Sequence, residues 1–334
     1  MADTAITSTL RRTGTAPTRS TLPSAAMLRT AGPPVLLIVL LGLVTIAEPN
    51  FFSTTALAVV TAQALPILLL GLGQMFVILT GGIDLSIAAV CSLGTVILAQ
   101  TIGATGPLAI LITVVATAAI GALTGFLITL GQVPSFVVSL GALGFWGAIA
   151  LALSGSTTIY IDNHYGAIFW LSSKSFLSMP LAVWIGIVIA AGIWAFMHYH
   201  PRGNIFHIVG LGERSALMAG IRTKAVRITA FALSGLFAGL AAVVLSSQQQ
   251  SAAPQLADAL LLPAIAAVLV GGCAITGGIG GAWKVIVGAL IVTVLRVGGS
   301  VAGVDPNYQQ IVYGGVVIAI VVLTLDRSKL SIIK

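Results

Sequence analysis

Long apolar stretches alternate with short polar punctuation along this chain. Apolar runs fall at 33–47, 57–79, 85–102, 107–130, 134–154, 180–197, 225–246, 262–276, 283–299 and 308–325. Most approach the roughly 20 residues with which an α-helix crosses a hydrocarbon core of about 30 Å. The pattern predicts an all-α fold, a polytopic transmembrane helix bundle of about ten spans. The period-two alternation of a membrane β-barrel is absent. Pro107, Pro134 and Pro180 stand where helices are predicted to begin, and a missing N–H there costs no hydrogen bond.

The ends differ from this pattern. Residues 1–32, rich in Ser, Thr and Ala, read as a disordered basic cytoplasmic tail, 33–326 as one transmembrane domain and 327–334 as a cytoplasmic C-terminal tail. The first span is expected to be an uncleaved signal anchor. The segment before it is too long for a signal-peptide n-region, and "VTIAEPNFF" makes a poor cleavage site.

Composition agrees. Hydrophobic residues make up 58% of the 334 and charged residues 7%, against about 25% charged in soluble domains. Lipid must be the solvent for most of the chain. With the N-terminus inside, the inner segments hold Arg11, Arg12, Arg19, Arg29, Arg202, Arg214, Arg222, Lys224, Arg227, Lys284, Arg327, Lys329 and Lys334, and the outer ones hold Lys174 and Arg296. That asymmetry places both termini in the cytoplasm. It also accounts for the net charge of +7 without a nucleic-acid partner. Cys91 and Cys273 both fall inside apolar runs and read as packed, reduced thiols.

The spans are poor in ionisable groups, with Asp84 and Arg296 the main ones, and the four histidines (His164, His198, His200, His207) lie at or beyond span edges. Ion-coupled transporters usually carry acids or histidines at membrane depth. No H-E-x-x-H pair and no G-x-x-x-x-G-K-[ST] loop occurs in the sequence. A secondary transporter and a membrane enzyme are therefore disfavoured, no cofactor is expected, and any uphill transport must draw its energy from another chain.

Glycines are plentiful instead. The tetrapeptide TGGI occurs at 80–83 and again at 276–279, each time following a Pro-containing apolar run (Pro66, Pro263), and both turns are predicted to face the cytoplasm. Gly81, Gly82, Gly277 and Gly278, with Pro66 and Pro263, are candidate helix breaks; such breaks are tolerated at membrane depth only in a cavity lining or inside protein. Asp84 has two readings. It caps a helix beginning near Leu85, with Ser86 close by, or it lines a substrate pathway. Gln63, Gln74, Ser86, Ser135, Ser139 and Ser92 are the other polar candidates for that pathway. The inner loop 198–224 is either a basic membrane anchor or carries a short helix, Glu213 to Ile221, that docks on a soluble partner, with Arg214 and Arg222 beside it.

Five pieces in order, "EPNFFS" (48–53), "GGIDLS" (81–86), "VPSFVVSLGAL" (133–143), "GERSALMAGI" (212–221) and "AIAAVLVGGCAITGG" (264–278), resemble the ribose-type sugar permeases, the membrane subunits of bacterial ABC importers. The resemblance implies an inner-membrane assembly of two permeases, this chain with a second copy or a paralogue. Two ATPase subunits would power it and a periplasmic sugar-binding protein would feed it. It also implies that Glu213, Ala216 and Gly220 belong to a coupling helix. Two departures stand out: "LLPAIAA" places Leu261 and Pro263 where these permeases often carry acids, and the outer segment 155–179 has no clear counterpart. A branched-chain amino-acid permease of the related ABC group is the alternative substrate class.

Overall fold

A computed structural model describes residues 25–200, 202–301, 303, 305, 308–315 and 318. Its helices are α1 (Ala25–Ala47), α2 (Thr54–Leu79), α3 (Ile87–Thr105), α4 (Leu108–Gly131), α5 (Ser135–Ser154), α6 (Gly166–Ser173), α7 (Leu181–Tyr199), α8 (Ile205–Leu211), α9 (Glu213–Met218), α10 (Thr223–Gln249), α11 (Leu261–Val270) and α12 (Ala282–Val301). Residues 308–315 are also helical. Four two-residue strands lie in the loops: β1 (Ile159–Tyr160), β2 (Ser175–Phe176), β3 (Met179–Pro180) and β4 (Ser251–Ala252).

Among the described residues, seven helices are long and apolar enough to cross a membrane: α2, α3, α4, α5, α7, α10 and α12. Two further apolar stretches are shorter, Ala31–Ala47 within α1 and Asp258–Val270 ending in α11. The predicted span 262–276 is thus corrected. Its helix stops at Val270 after 10 residues, about half a bilayer at 1.5 Å per residue. Residues 271–281 continue without helix. The predicted tail also ends earlier than expected, because α1 begins at Ala25 and takes in residues 25–32. Residues 1–24, the 327–334 tail and most of the span beyond 315 lie outside the described residues.

Glycine sets the closest packing in the bundle. A Cβ on Gly121 of α4 would overlap the Phe231 carbonyl oxygen of α10, and one on Gly235 of α10 would overlap the Thr117 carbonyl of α4. Where lipid is as apolar as leucine, such backbone approach holds two helices together. Phe76 of α2 packs on Phe237 of α10 at 6.3 Å between ring centroids and on Phe206 of α8 at 5.0 Å. α2, α3 and α10 form the buried centre, whereas α5 is exposed along most of its length.

At the end of the bundle away from the 198–224 loop, β1 pairs antiparallel with β4 through Ile159↔Ala252 and Tyr160↔Ser251. The hydroxyls of Tyr165 and Ser172 both donate to the Ser247 carbonyl, at 2.6 and 2.8 Å. The 155–179 segment is thereby folded onto the end of α10. Ser92 of α3 pins the following loop. Its hydroxyl accepts from the Ala257 N–H (3.0 Å) and donates to the Asp258 carboxylate (3.2 Å).

Candidate functional site

α2 runs through Pro66 without a break and ends at Leu79. Gly81, at φ +79, turns the chain, and the Gly82 N–H donates back to the Val77 carbonyl at 3.0 Å. Residues 82–86 then return alongside the last turns of α2 until α3 begins at Ile87, two residues later than the sequence suggested. A non-helical segment at this depth must find its hydrogen bonds inside the protein. It does so residue by residue. Ser135 of α5 accepts from the Ile83 N–H (3.0 Å) and Ser139 donates to the Ile83 carbonyl (3.2 Å). The Gln74 amide of α2 donates to the Asp84 carbonyl (3.0 Å) and accepts from the Asp84 N–H (3.2 Å).

The Asp84 carboxylate is satisfied in the same way. One oxygen accepts from the Ser86 N–H (2.9 Å) and the Ser86 hydroxyl (2.6 Å), and the other accepts from the Ser234 hydroxyl of α10 at 2.7 Å. Asp84 is 2% exposed. Burying a charge without partners is costly, and three short hydrogen bonds to the carboxylate offset that cost. Asp84 acts as a cap through the N–H of Ser86, which stands at the N-cap of α3 but turns its hydroxyl to Asp84.

Five of the seven pathway candidates, Asp84, Ser86, Gln74, Ser135 and Ser139, therefore meet around one re-entrant segment, while Ser92 holds Ala257 and Asp258 instead. Asp84, Ser86, Gln74 and Ser139 are buried in it. Ser135 reaches a cavity beside the 198–224 loop, with Glu213 in its wall. Gln63 stands apart, at cavities shared with Arg296. Ser234 is the member that sequence reasoning missed; its only signal was a small hydroxyl in an apolar helix.

The second break answers the first. A Cβ on Gly271 would overlap the Lys284 carbonyl of α12, and Gly272 turns at φ +99. The ammonium of Lys284 donates to the Gly272 carbonyl at 3.1 Å, satisfying a group freed by the helix end. Pro263 sits in the first turn of α11, where no N–H is missed. The chain then descends to its own TGGI turn, where the Gly278 N–H donates to the Leu79 carbonyl at 3.0 Å. Gly277, at φ +89, lies so close to Gly81 that an added Cβ would stand 2.9 Å from the Gly81 nitrogen. Gly210 of α8 closes the junction, because a Cβ there would overlap the Leu79 carbonyl and the Gly278 nitrogen. The two TGGI turns and the inner loop meet backbone to backbone.

The inner loop 198–224 is itself built of α8 and α9. Gly220, at φ +78, ends α9 with the Ile221 N–H donating back to the Ala216 carbonyl at 3.0 Å. Glu213 opens α9 and accepts from Arg227 (2.9 Å) and from the Thr223 hydroxyl (3.2 Å), both on α10. Ala216 is fully buried. These two residues hold α9 against the bundle. What α9 and its flanks present outward is Arg214, Gly220 and Arg222, with Leu211, Leu217 and Met218, the last 92% exposed. The apolar three were not among the sequence candidates. Beside this pair a cavity of about 580 Å³ opens between the first TGGI turn, the α4–α5 turn and α10, lined by Gly82, Ser135, Glu213, Lys224 and Arg227 among others.

Residues 56–321 match the family model described as "Branched-chain amino acid transport system / permease component". The ribose import permease protein of Bacillus subtilis is 32% identical over 302 residues, covering 89% of this chain and 92% of that protein. The D-allose transport system permease protein of Escherichia coli is 30% identical, covering 84% and 87%. A solved structure of a metal-chelate type ABC transporter in an inward-facing conformation is similar in fold, with a TM-score of 0.50 and 14% identity over 89% of this chain and 99% of that one.

Proposed function

The chain belongs to the family of branched-chain amino acid transport system permease components, and on that premise we propose that it is the membrane-spanning subunit of an ABC importer that carries a monosaccharide or a related polyol into the cell. The observation that carries the substrate class is the 32% identity to a ribose import permease across 89% of this chain. The family description names amino acids, but relatives at this level of identity move ribose and allose. A neutral, hydroxyl-rich solute needs donors and acceptors along its path and no counter-charge. Asp84, the buried carboxylate of the re-entrant segment, is consumed by its own hydrogen bonds.

In this reading the chain has no catalytic site and binds no cofactor. ATP is used by a separate ATPase subunit that docks on the outward face of α9, where Leu217 and Met218 stand exposed beside Arg214 and Arg222. Motion of α9 reaches the transmembrane region by two routes: Glu213 to Arg227 at the foot of α10, and Gly210 to the paired TGGI turns. A second copy or a paralogue covers α5, whose apolar residues are exposed and whose Gly141, Gly144 and Gly147 face open space. A soluble binding protein delivers the sugar from outside a bacterial inner membrane, so the path itself needs little affinity. Asp84 positions the re-entrant segment and does not touch the sugar.

Proteoliposomes holding the permease, its ATPase and its binding protein test this. ATP-dependent uptake of labelled ribose or allose with no uptake of leucine is expected; uptake of leucine alone would contradict it.

A further inference from the structure

Near the outer end of α12 stands a cation that no other group of the described structure answers. Arg296 lies one turn before the helix ends at Val301. It is partly buried, and its guanidinium makes no hydrogen bond or ion pair among the described residues. An arginine near a helix end usually snorkels its head to the membrane surface. Here the surroundings are more specific than open water.

Two cavities meet at this residue, and a third adjoins them through Gln309. One of about 290 Å³ places Arg296 with Gln63, Gln248 and Gln249. The next, of about 380 Å³, shares Arg296 and Gln63 and adds Ser300 and Gln309. The third, of about 290 Å³, shares Gln309 and runs between α1 and α12 over Leu40, Val44 and Leu295 to Tyr313. Gln309 is a fixed wall between the second and the third, since its amide donates to the Arg296 carbonyl (3.3 Å) and the Ser300 hydroxyl (2.9 Å). Tyr313 is 3% exposed, and its hydroxyl has no partner among the described residues.

The chemistry therefore changes along one path, from a cation among amides, past an unanswered buried hydroxyl, into an aliphatic groove. A neutral sugar would use the amides and leave the groove empty. A free anion would satisfy Arg296 and nothing beyond it. We propose that the outer end of α12 holds one anionic phospholipid of the outer leaflet, with its phosphodiester on Arg296. Its ester carbonyl accepts from the Tyr313 hydroxyl, and an acyl chain lies between α1 and α12 against Leu40, Val44 and Leu295. The lipid fills the seam between α12 and α1. The assignment does not rest on the transport reading.

Native mass spectrometry of the detergent-purified full chain, titrated with phosphatidylglycerol, phosphatidylethanolamine or glycerol phosphate, tests it. One phosphatidylglycerol is expected to remain bound per chain, with phosphatidylethanolamine weaker by about tenfold, because its ammonium brings a like charge beside Arg296 and competes for the same phosphodiester. Arg296→Gln should abolish that preference and Arg296→Lys should keep most of it, so that loss of charge is told apart from loss of fold. Leu43→Trp, which fills the groove from α1, should weaken retention of both lipids. Equal retention of the two lipids by the wild type would show that the site does not select an anionic headgroup, and unchanged preference in Arg296→Gln would show that Arg296 only snorkels. Full displacement of phosphatidylglycerol by glycerol phosphate would show a site for free anions. Any of these results overturns the lipid assignment.

Discussion

The backbone N–H of Gly278 donates to the carbonyl of Leu79 across 3.0 Å, so the end of α2 and the broken segment after α11 share one hydrogen bond. The repeated TGGI tetrapeptide finds its reason there. Each copy supplies glycines to a junction of three backbones, and the third belongs to α8 through Gly210. Any displacement of the inner loop must be felt by both breaks at once.

Side chains should not be tolerated at that junction. A Cβ on Gly210 would overlap backbone atoms of both Leu79 and Gly278, so relief requires moving α8. Gly210→Ala is expected to lower the melting temperature and abolish uptake. Gly220→Ala is the control: φ is again positive, at +78, but the space beyond is open, so the cost is that of the left-handed conformation alone, about 1 kcal/mol. Thermal unfolding and uptake measured on both variants check this, and equal behaviour of the two would contradict a packing role for Gly210.

Asp84 should matter for stability through its donors. Removing the Ser234 hydroxyl takes away one hydrogen bond to a charged group, about 1.5–3 kcal/mol. Ser234→Ala should thus lower stability clearly, and Asp84→Leu more, because it strands the donors of both Ser86 and Ser234. With the binding protein saturated, the residual Ser234→Ala transporter should keep the wild-type dependence of uptake on sugar concentration. A changed dependence would place Asp84 on the substrate path.

The Glu213–Arg227 pair is partly exposed, at 41% and 35% of its side chains, so its coupling energy should be small, about 0.2–1 kcal/mol in a double-mutant cycle on thermal stability. Its contribution to coupling should be larger than to stability. Glu213→Gln is expected to leave folding nearly unchanged and to reduce uptake per ATP hydrolysed. Parallel measurement of ATP hydrolysis and uptake distinguishes this from a simple loss of ATPase docking, in which both fall together.

Much of this architecture is written in local pattern. The apolar runs locate the long spans because a helix in lipid needs length and little else. The run from Leu262 to Thr276 misleads for the same reason. It is apolar throughout, and only the backbone at Gly271 and Gly272, pressed against Lys284, shows that the helix stops halfway. The polar candidates Gln74, Asp84, Ser86, Ser135 and Ser139 were legible as rare polar groups in apolar helices, and they do assemble. Their common task, feeding hydrogen bonds to Ile83 and Asp84, depends on contacts between distant helices that no local pattern records. The same holds for Ser234 and for the junction of the two TGGI turns. In α9 the sequence drew attention to Glu213 and Ala216, which face inward, and away from Leu217 and Met218, whose exposure only packing reveals.

The most direct test of an importer driven by a separate ATPase docked on α9 uses Met218, which is 92% exposed and supports nothing inside the fold. Met218→Glu permease should be co-expressed with the ATPase and followed by co-purification and ATP-dependent uptake. The account predicts a chain that purifies with wild-type thermal stability, fails to retain the ATPase and imports no sugar. Wild-type uptake without the ATPase, or driven by an ion gradient, would contradict it.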